Sequence, residues 1–216
     1  LRRQRQMCIR DSDNTAIGHV ALTLNTTGAQ NTAVGKGALS ANSTANNNTA
    51  VGYHALDLNT TGHSNTAIGA GSLDAATGAD ENTAVGFESM DATTTGSYNT
   101  AIGSNSLVTN TTGEYNVACG RYALRYNTTG SENTALGQGA LAANTTADNN
   151  VAVGYLALTA NTTGADNTAV GFRALDANTT ANNNTAVGLY ALSAVTTSGN
   201  NTCIGRDSGL KVEGNG

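Results

Sequence analysis

Three aspartates recur at a spacing that could bring their carboxylates together. Asp57, Asp74 and Asp91 are 17 residues apart. If the chain repeats with that period, the three carboxylates stack about 4.8 Å apart, the distance between neighbouring strands. Stacked like charges repel one another unless they are solvated or bridged by a cation such as calcium. The Gly-Asp nonapeptide pattern of calcium-binding β-rolls is missing, so we interpret this column as a solvated edge.

The histidines and cysteines suggest no further chemistry. The histidines, which share neither a column nor a metal-ligand spacing, are His19, His54 and His63. Cys119 and Cys203 each stand where other copies of the repeat carry Val or Ala, which is typical of small buried apolar residues rather than of a disulfide or a metal set. We therefore predict no metal, no cofactor and no catalytic residues.

The spacing of the aspartates belongs to the whole chain. The pentapeptide Asn-Thr-Ala-Val-Gly begins at Asn14 and occurs twelve times, with small variations, at intervals of 17 residues. The full unit is N-T-A-V-G-x-x-A-L-x-x-N-T-T-G-x-x, and its positions are numbered 1 to 17 below. Repetition without insertions predicts a solenoid in which each unit stacks on the next. The absence of Pro agrees with this, because Pro cannot donate a hydrogen bond to stacked strands.

Each unit divides into three local structures. Thr-Ala-Val is β-branched and short, and predicts a strand with positions 2 and 4 on one face and Ala on the other. We expect the apolar residue at position 4 and the Leu at position 9 to form the core, and the Ala face to be crowded by a neighbour. The Ala-Leu segment has helical spacing and predicts one helical turn, with a second short strand as the alternative. Asn-Thr-Thr-Gly is a turn.

The predicted fold is a parallel β-solenoid, or β-roll, of about twelve coils of 17 residues, each made of a short strand plus a helical turn or second short strand. Asn at position 1 is present in every copy, so stacking places these amides in a column that forms a structural ladder. The predicted ladder consists of Asn31, Asn48, Asn65, Asn82, Asn99, Asn116, Asn133, Asn150, Asn167 and Asn184.

Positions 6 and 7 vary most between the copies and carry aromatic residues. A variable aromatic line on a rigid rod is a candidate surface for contact with a receptor or a glycan. Alternatively, the rings cover the neighbouring turn or a subunit seam. The residues of this line are Tyr53, Phe87, Tyr122, Tyr155, Phe172 and Tyr190.

Composition narrows the classes of function. The net charge is −5 although four arginines lie within the first ten residues, so the repeats are acidic and do not favour nucleic-acid binding. No apolar run reaches the length of a transmembrane helix, and we predict no membrane insertion. Residues 1–12 are basic and share nothing with the repeat, and they resemble translated sequencing-adapter read-through. We therefore expect a non-native or disordered leader at 1–12 and a single solenoid domain at 13–216.

The repeat resembles two families of surface proteins. The string A-I-G-x-x-A preceded by Asn-Thr resembles the head repeats of trimeric autotransporter adhesins of the YadA type. The form N-T-A-V-G-x-x-A-L-x-x-N-T-T-G is similar to repeats of bacterial and phage fibre proteins that end in an endosialidase-type intramolecular chaperone. The resemblance covers residues 14 to about 205 and implies a homotrimer that is extracellular, on a cell surface or a virion. The adhesin coil is usually about three residues shorter, which leaves room for the helical turn, and no chaperone domain is present, so we expect a fragment of a longer fibre.

Three functions follow from these observations. The leading hypothesis is a non-enzymatic structural or adhesive rod, a segment of a surface adhesin or fibre that contacts a host-surface protein or glycan. The alternative is ice binding through rows of hydroxyls in the Thr-Thr columns, at Thr26, Thr60, Thr111, Thr128, Thr145, Thr162 and Thr179. A β-helical polysaccharide-cleaving enzyme would need a local break in the repeat that carries acids, and no copy supplies one.

Overall fold

The computed structural model describes residues 13–209, and the predicted leader lies outside the described residues. Twelve strands of three residues follow one another along the chain. They are β1 (Thr15–Ile17), β2 (Thr32–Val34), β3 (Thr49–Val51), β4 (Thr66–Ile68), β5 (Thr83–Val85), β6 (Thr100–Ile102), β7 (Val117–Cys119), β8 (Thr134–Leu136), β9 (Val151–Val153), β10 (Thr168–Val170), β11 (Thr185–Val187) and β12 (Thr202–Ile204).

The strands form one parallel sheet in the order β1 to β12. Each strand pairs in register with the equivalent strand of the next copy, so that Thr32 lies opposite Thr49 and Ala33 opposite Ala50. Each coil therefore contributes one strand, and a stack of twelve coils at about 4.8 Å spacing is a rod roughly 55 Å long. The predicted parallel β-solenoid with a 17-residue period is confirmed.

The two faces of the strand are the reverse of those predicted. Ala101 at position 3 is fully buried, whereas Ile102 at position 4 is 43% exposed. The interior of each coil already contains Ala at position 8 and Leu at position 9, as in Ala123 and Leu124, both fully buried. Only a small side chain fits opposite them, and this explains why position 3 is Ala. The predicted core of Val and Ile is wrong, and the core consists of Ala and Leu.

The segment from position 6 to position 11 is neither a helix nor a strand. Leu156 at position 7 and Leu158 at position 9 have φ values of 53° and 51°, in the left-handed region. A right-handed helical turn cannot contain such residues at alternate positions. Their N–H groups bond to different neighbours, since Leu156 donates to Gln138 O of the preceding coil at 3.0 Å and Leu158 donates to Ala174 O of the following coil at 2.9 Å. The expected helical turn is thus replaced by a backbone that hydrogen-bonds up and down the stack.

Two rows of buried asparagine connect the coils on the inside. At position 1, the Asn116 N–H donates to Asn99 Oδ1 at 2.9 Å and its Nδ2 donates to Gly130 O at 2.9 Å. A second row, which the sequence analysis did not separate from the turn, lies at position 12, where Asn127 Nδ2 donates to Asn110 Oδ1 at 2.9 Å. Because each amide bonds both to its own coil and to the adjacent one, these rows fix the register of the stack.

The left-handed residues at position 17 supply a test of backbone strain. Glu132 is exposed and has φ 59°, a conformation that Asn tolerates better than Glu. Asn already occupies this position at Asn47, Asn149 and Asn183. We expect Glu132→Asn to raise the free energy of unfolding by about 0.5–1 kcal/mol, because αL geometry costs non-Gly residues roughly 1–2 kcal/mol. Chemical denaturation measures the change.

Glu132→Gln is the matched control for this prediction. It removes the same charge without the preference of Asn for the left-handed region, so its stability should remain near that of the original chain. Equal stabilisation by Gln and Asn would show that charge removal, and not backbone conformation, is responsible.

Within residues 13–209 no helix is long and apolar enough to cross a membrane.

Candidate functional site

The variable positions of the repeat lie on the outside of the coil. The buried positions 1, 3, 8, 9 and 12 hold the same few residue types in nearly every copy, whereas positions 6, 7, 10, 11, 16 and 17 differ between copies. Differences between coils are therefore expressed on the surface, where a partner or an ion can contact them.

The predicted aromatic line is divided between two positions of the coil. Tyr53, Phe87, Tyr155 and Phe172 occupy position 6 and are between 41% and 54% exposed. Tyr122 and Tyr190 occupy position 7, where their φ values are 63° and 56°, and they are less exposed. These six residues therefore form local groups on one side of the rod, not one uninterrupted row.

One aromatic group spans three consecutive coils. The rings of Tyr155 and Phe172 stack with centroids 5.2 Å apart and an interplanar angle of 17°. Phe172 then meets Tyr190 edge to face, with centroids 5.5 Å apart. Arg173, next to Phe172, donates from Nε to Asp176 Oδ2 at 2.7 Å, and this hydrogen bond is the main reason that its pKa is raised. The group offers exposed ring surface beside a paired charge.

A second group combines aromatic and basic residues in one coil. The guanidinium groups of Arg121 and Arg125 lie 4.3 and 4.4 Å from the centroid of the Tyr122 ring. Arg125 also lies 5.1 Å from the ring of Tyr126. Cation–π contacts of this kind hold two positive charges on an otherwise acidic rod.

A third aromatic contact was missed by the sequence analysis. Tyr98 and Tyr115, at position 17 of successive coils, stack with centroids 4.9 Å apart and an interplanar angle of 2°. Nearby Glu81 is the main cause of the raised pKa of the Tyr98 phenol. The signal was available, because the two residues are one period apart, but attention to positions 6 and 7 excluded them.

The outer face of the sheet carries two regular rows of side chains. Thr at position 2 and Val or Ile at position 4 both point outward, and Ile68, Ile102 and Leu136 are each more than one third exposed. Within the described residues, the hydroxyls of the strand threonines, such as Thr83 and Thr134, form no hydrogen bond with the protein. The sheet therefore presents parallel rows of free hydroxyls and apolar groups to its surroundings.

The Thr-Thr columns of the turn have a different role. Thr128 Oγ1 donates to Thr145 O at 2.9 Å, and Thr145 Oγ1 donates to Thr162 O at 3.0 Å. The same bond from one coil to the next occurs in most of the column predicted for ice binding. These hydroxyls therefore tie the turns together, and their hydrogens are already used within the chain.

The aspartate column lies at the edge of a recess. Asp57, Asp74 and Asp91 are all partly buried, so the interpretation of a fully solvated edge is too simple. His54 Nδ1 lies 2.5 Å from Asp57 Oδ2, and Ser40 Oγ donates to Asp57 Oδ1. The position 7 residue of a coil thus reaches the position 10 carboxylate, a pairing that the sequence analysis did not consider.

Electrostatics in the column disfavour ionised carboxylates. Burial raises the pKa of Asp74, and the charges of Asp57 and Asp91 raise it further while His54 lowers it. Burial, followed by the charge of Glu88, also raises the pKa of Asp91. Among residues 13–209, no Lys or Arg forms an ion pair with either carboxylate.

Comparisons of the chain with family models, with curated proteins and with solved structures give no match.

Proposed function

We propose that the chain is a non-enzymatic structural rod, a segment of a surface adhesin or phage-type fibre that holds a contact surface away from a cell or virion. The observation that carries this proposal is the uniformity of the coil. Twelve strands pair in one register, and the buried groups of each coil bond to the next coil. A uniform stack is suited to span distance, because its length depends only on the number of coils.

Self-association along the outer sheet face completes the rod. Ile68, Ile102 and Leu136 present apolar surface at a regular spacing on this face. The sequence analysis expected chains to associate along the Ala face, but Ala is buried inside its own coil. Burying the position 4 row between copies would add apolar contact to a core of small residues. We therefore propose a homotrimer whose chains meet along the Thr and Val face, by analogy with the adhesin heads.

The aromatic groups are the candidate surface for a host protein or a glycan. Their rings are exposed on the side of the rod, and exposed aromatic faces pack well against the apolar faces of sugars and against other side chains. The stacked pair of Tyr155 and Phe172 offers the most extended ring surface of this kind.

The modular rod makes a sharp prediction about deletions. Removing residues 133–149, one complete unit, joins position 17 to position 1 and should leave a folded chain shorter by about 4.8 Å. Removing 133–148 shifts the pattern of every later coil by one residue and should unfold that part of the stack. Circular dichroism and solution X-ray scattering compare the two. Loss of folding in the whole-unit deletion would contradict the proposal, because a spacer tolerates a change in coil number.

Ice binding remains a second candidate, on a different surface from the one first expected. The Thr-Thr hydroxyls are bonded to the chain, but the threonines of the strands have free hydroxyls on a flat face with apolar neighbours. Thermal hysteresis or shaped ice crystals that disappear in Thr100→Lys, but persist in Thr128→Ser in the turn, would support this candidate. Absence of both effects in the original chain would remove it.

A further inference from the structure

We propose that His54, Asp57 and Asp74 form a binding site for a divalent transition-metal ion of the zinc class, which joins the third and fourth coils of the rod. One nitrogen of His54 and one oxygen of each aspartate lie within 4.8 Å of one another. His54 and Asp57 belong to one coil and Asp74 to the next, so a bound ion would bridge two coils.

The chemistry of the donors selects the class of ion. An imidazole nitrogen with two carboxylate oxygens suits Zn²⁺ and its neighbours in the first transition series, whereas Ca²⁺ and Mg²⁺ prefer oxygen ligands alone. Three protein ligands leave at least one coordination position open. Beside the cluster, an open recess of about 360 Å³ is lined by His54, Asp74, Glu88 and Asp91, and it gives an ion or its water ligands access.

Asp74 supplies an independent reason to expect a cation. Its Oδ1 atom is buried and has no hydrogen-bond partner among the described residues. Its own coil has Gly71 at position 7, which cannot pair with the carboxylate, and the next coil places the acidic Glu88 there. A buried and unpaired carboxylate oxygen is costly, and coordination to a metal removes that cost.

A later coil illustrates how the same positions are satisfied without a metal. In the tenth coil, Arg173 at position 7 donates to Asp176 at position 10 at 2.7 Å. The chain itself therefore supplies the positive charge there. In the third coil, His54 pairs with Asp57 but adds no cation for Asp74, and the repeat leaves a place that an external cation can fill.

The proposal is tested by calorimetric titration of the full chain, freed of metal by chelation, with ZnCl₂. We expect one strong site, and a rise in the melting temperature when the ion binds. Asp74→Asn should weaken binding by about 100-fold or more, since even changes to residues behind the ligands cost 10–100-fold. His54→Asn should do the same, and Asn tolerates the left-handed φ of 52° at that residue.

Two controls make the result decisive. Asp74→Asn removes a carboxylate whose charge is disfavoured, so without metal it should melt no lower than the original chain, and weak binding cannot then be blamed on misfolding. Asp176→Asn removes an equivalent aspartate far along the rod and should bind Zn²⁺ unchanged. The proposal is overturned if the original chain binds no Zn²⁺, if Asp74→Asn binds it equally well, if binding disappears on alkylation of the cysteines, or if Ca²⁺ binds as tightly.

Discussion

Gly137→Ala is expected to lower the free energy of unfolding by about 4 kcal/mol. Gly137 has φ +134°, and a Cβ added there would lie 2.5 Å from Gly154 O and 2.7 Å from Gly154 C in the next coil. Neither atom can move without displacing the strand that bears it. Backbone strain of about 1–3 kcal/mol and overpacking of about 1–3 kcal/mol therefore add. Chemical denaturation followed by circular dichroism gives the change.

Gly205→Ala separates the two contributions to this effect. Gly205 occupies the same position of the last coil with φ +121°, but a Cβ there meets no described atom within 4 Å. We expect it to cost only the backbone strain, about 1–3 kcal/mol. If the two substitutions cost the same, the close approach of successive coils at position 5 is not what requires glycine.

Asn133→Ala is expected to cost about 3 kcal/mol. The side chain donates to Ala147 O at 2.8 Å and to Asn116 Oδ1 at 3.2 Å, and its Oδ1 accepts from Asn150 N at 3.0 Å. Truncation leaves the buried Asn150 N–H without a partner, which alone costs about 1–3 kcal/mol, and removes side-chain bonds of about 1 kcal/mol each. Denaturation of the variant and the original chain under the same conditions measures the loss.

The control for the ladder is an asparagine outside it. Asn182 is exposed and accepts a single hydrogen bond from Ala165 N at 2.8 Å. Asn182→Ala should cost about 1 kcal/mol or less, because water replaces the lost partner. A loss at Asn133 as small as that at Asn182 would show that the inner amides do not fix the stack.

The period of the sequence was sufficient to predict the architecture. A strict interval of 17 residues permits one arrangement of strands, parallel and in register, because any slip would misalign every column. The invariant Asn and Gly columns also identified the positions where successive coils meet. Both features depend on repetition, which sequence displays directly.

Side-chain direction was harder to predict than architecture. In a strand of three residues, alternation separates Ala101 from Ile102 but does not say which of them faces inward. Hydrophobicity favoured Ile, whereas the width of the coil decides for Ala, and that width depends on the left-handed turns. Leu does not ordinarily adopt positive φ, so Leu158 gave no sign of the turn that replaced the expected helix. Spacing within one unit was therefore misleading.

The histidine and aspartate cluster could have been found by comparing coils. His54 and Asp57 are three residues apart, as are Arg173 and Asp176, and the second pair is an obvious ion pair. Aligning the repeats would have shown that positions 7 and 10 are coupled. Searching for histidines in a shared column missed this, because the ligands come from different positions of adjacent coils.

The molar mass of the full chain in solution, measured by light scattering, tests the central claim most directly. A structural rod that associates along its Thr and Val face should have three times the mass of one 21.7 kDa chain. Replacing the exposed Ile68 and Ile102 by Lys should reduce that mass to a single chain, because charges on the shared face oppose its burial. A monomer in the original chain would contradict the account, and would leave the outer face free for ice or another ligand.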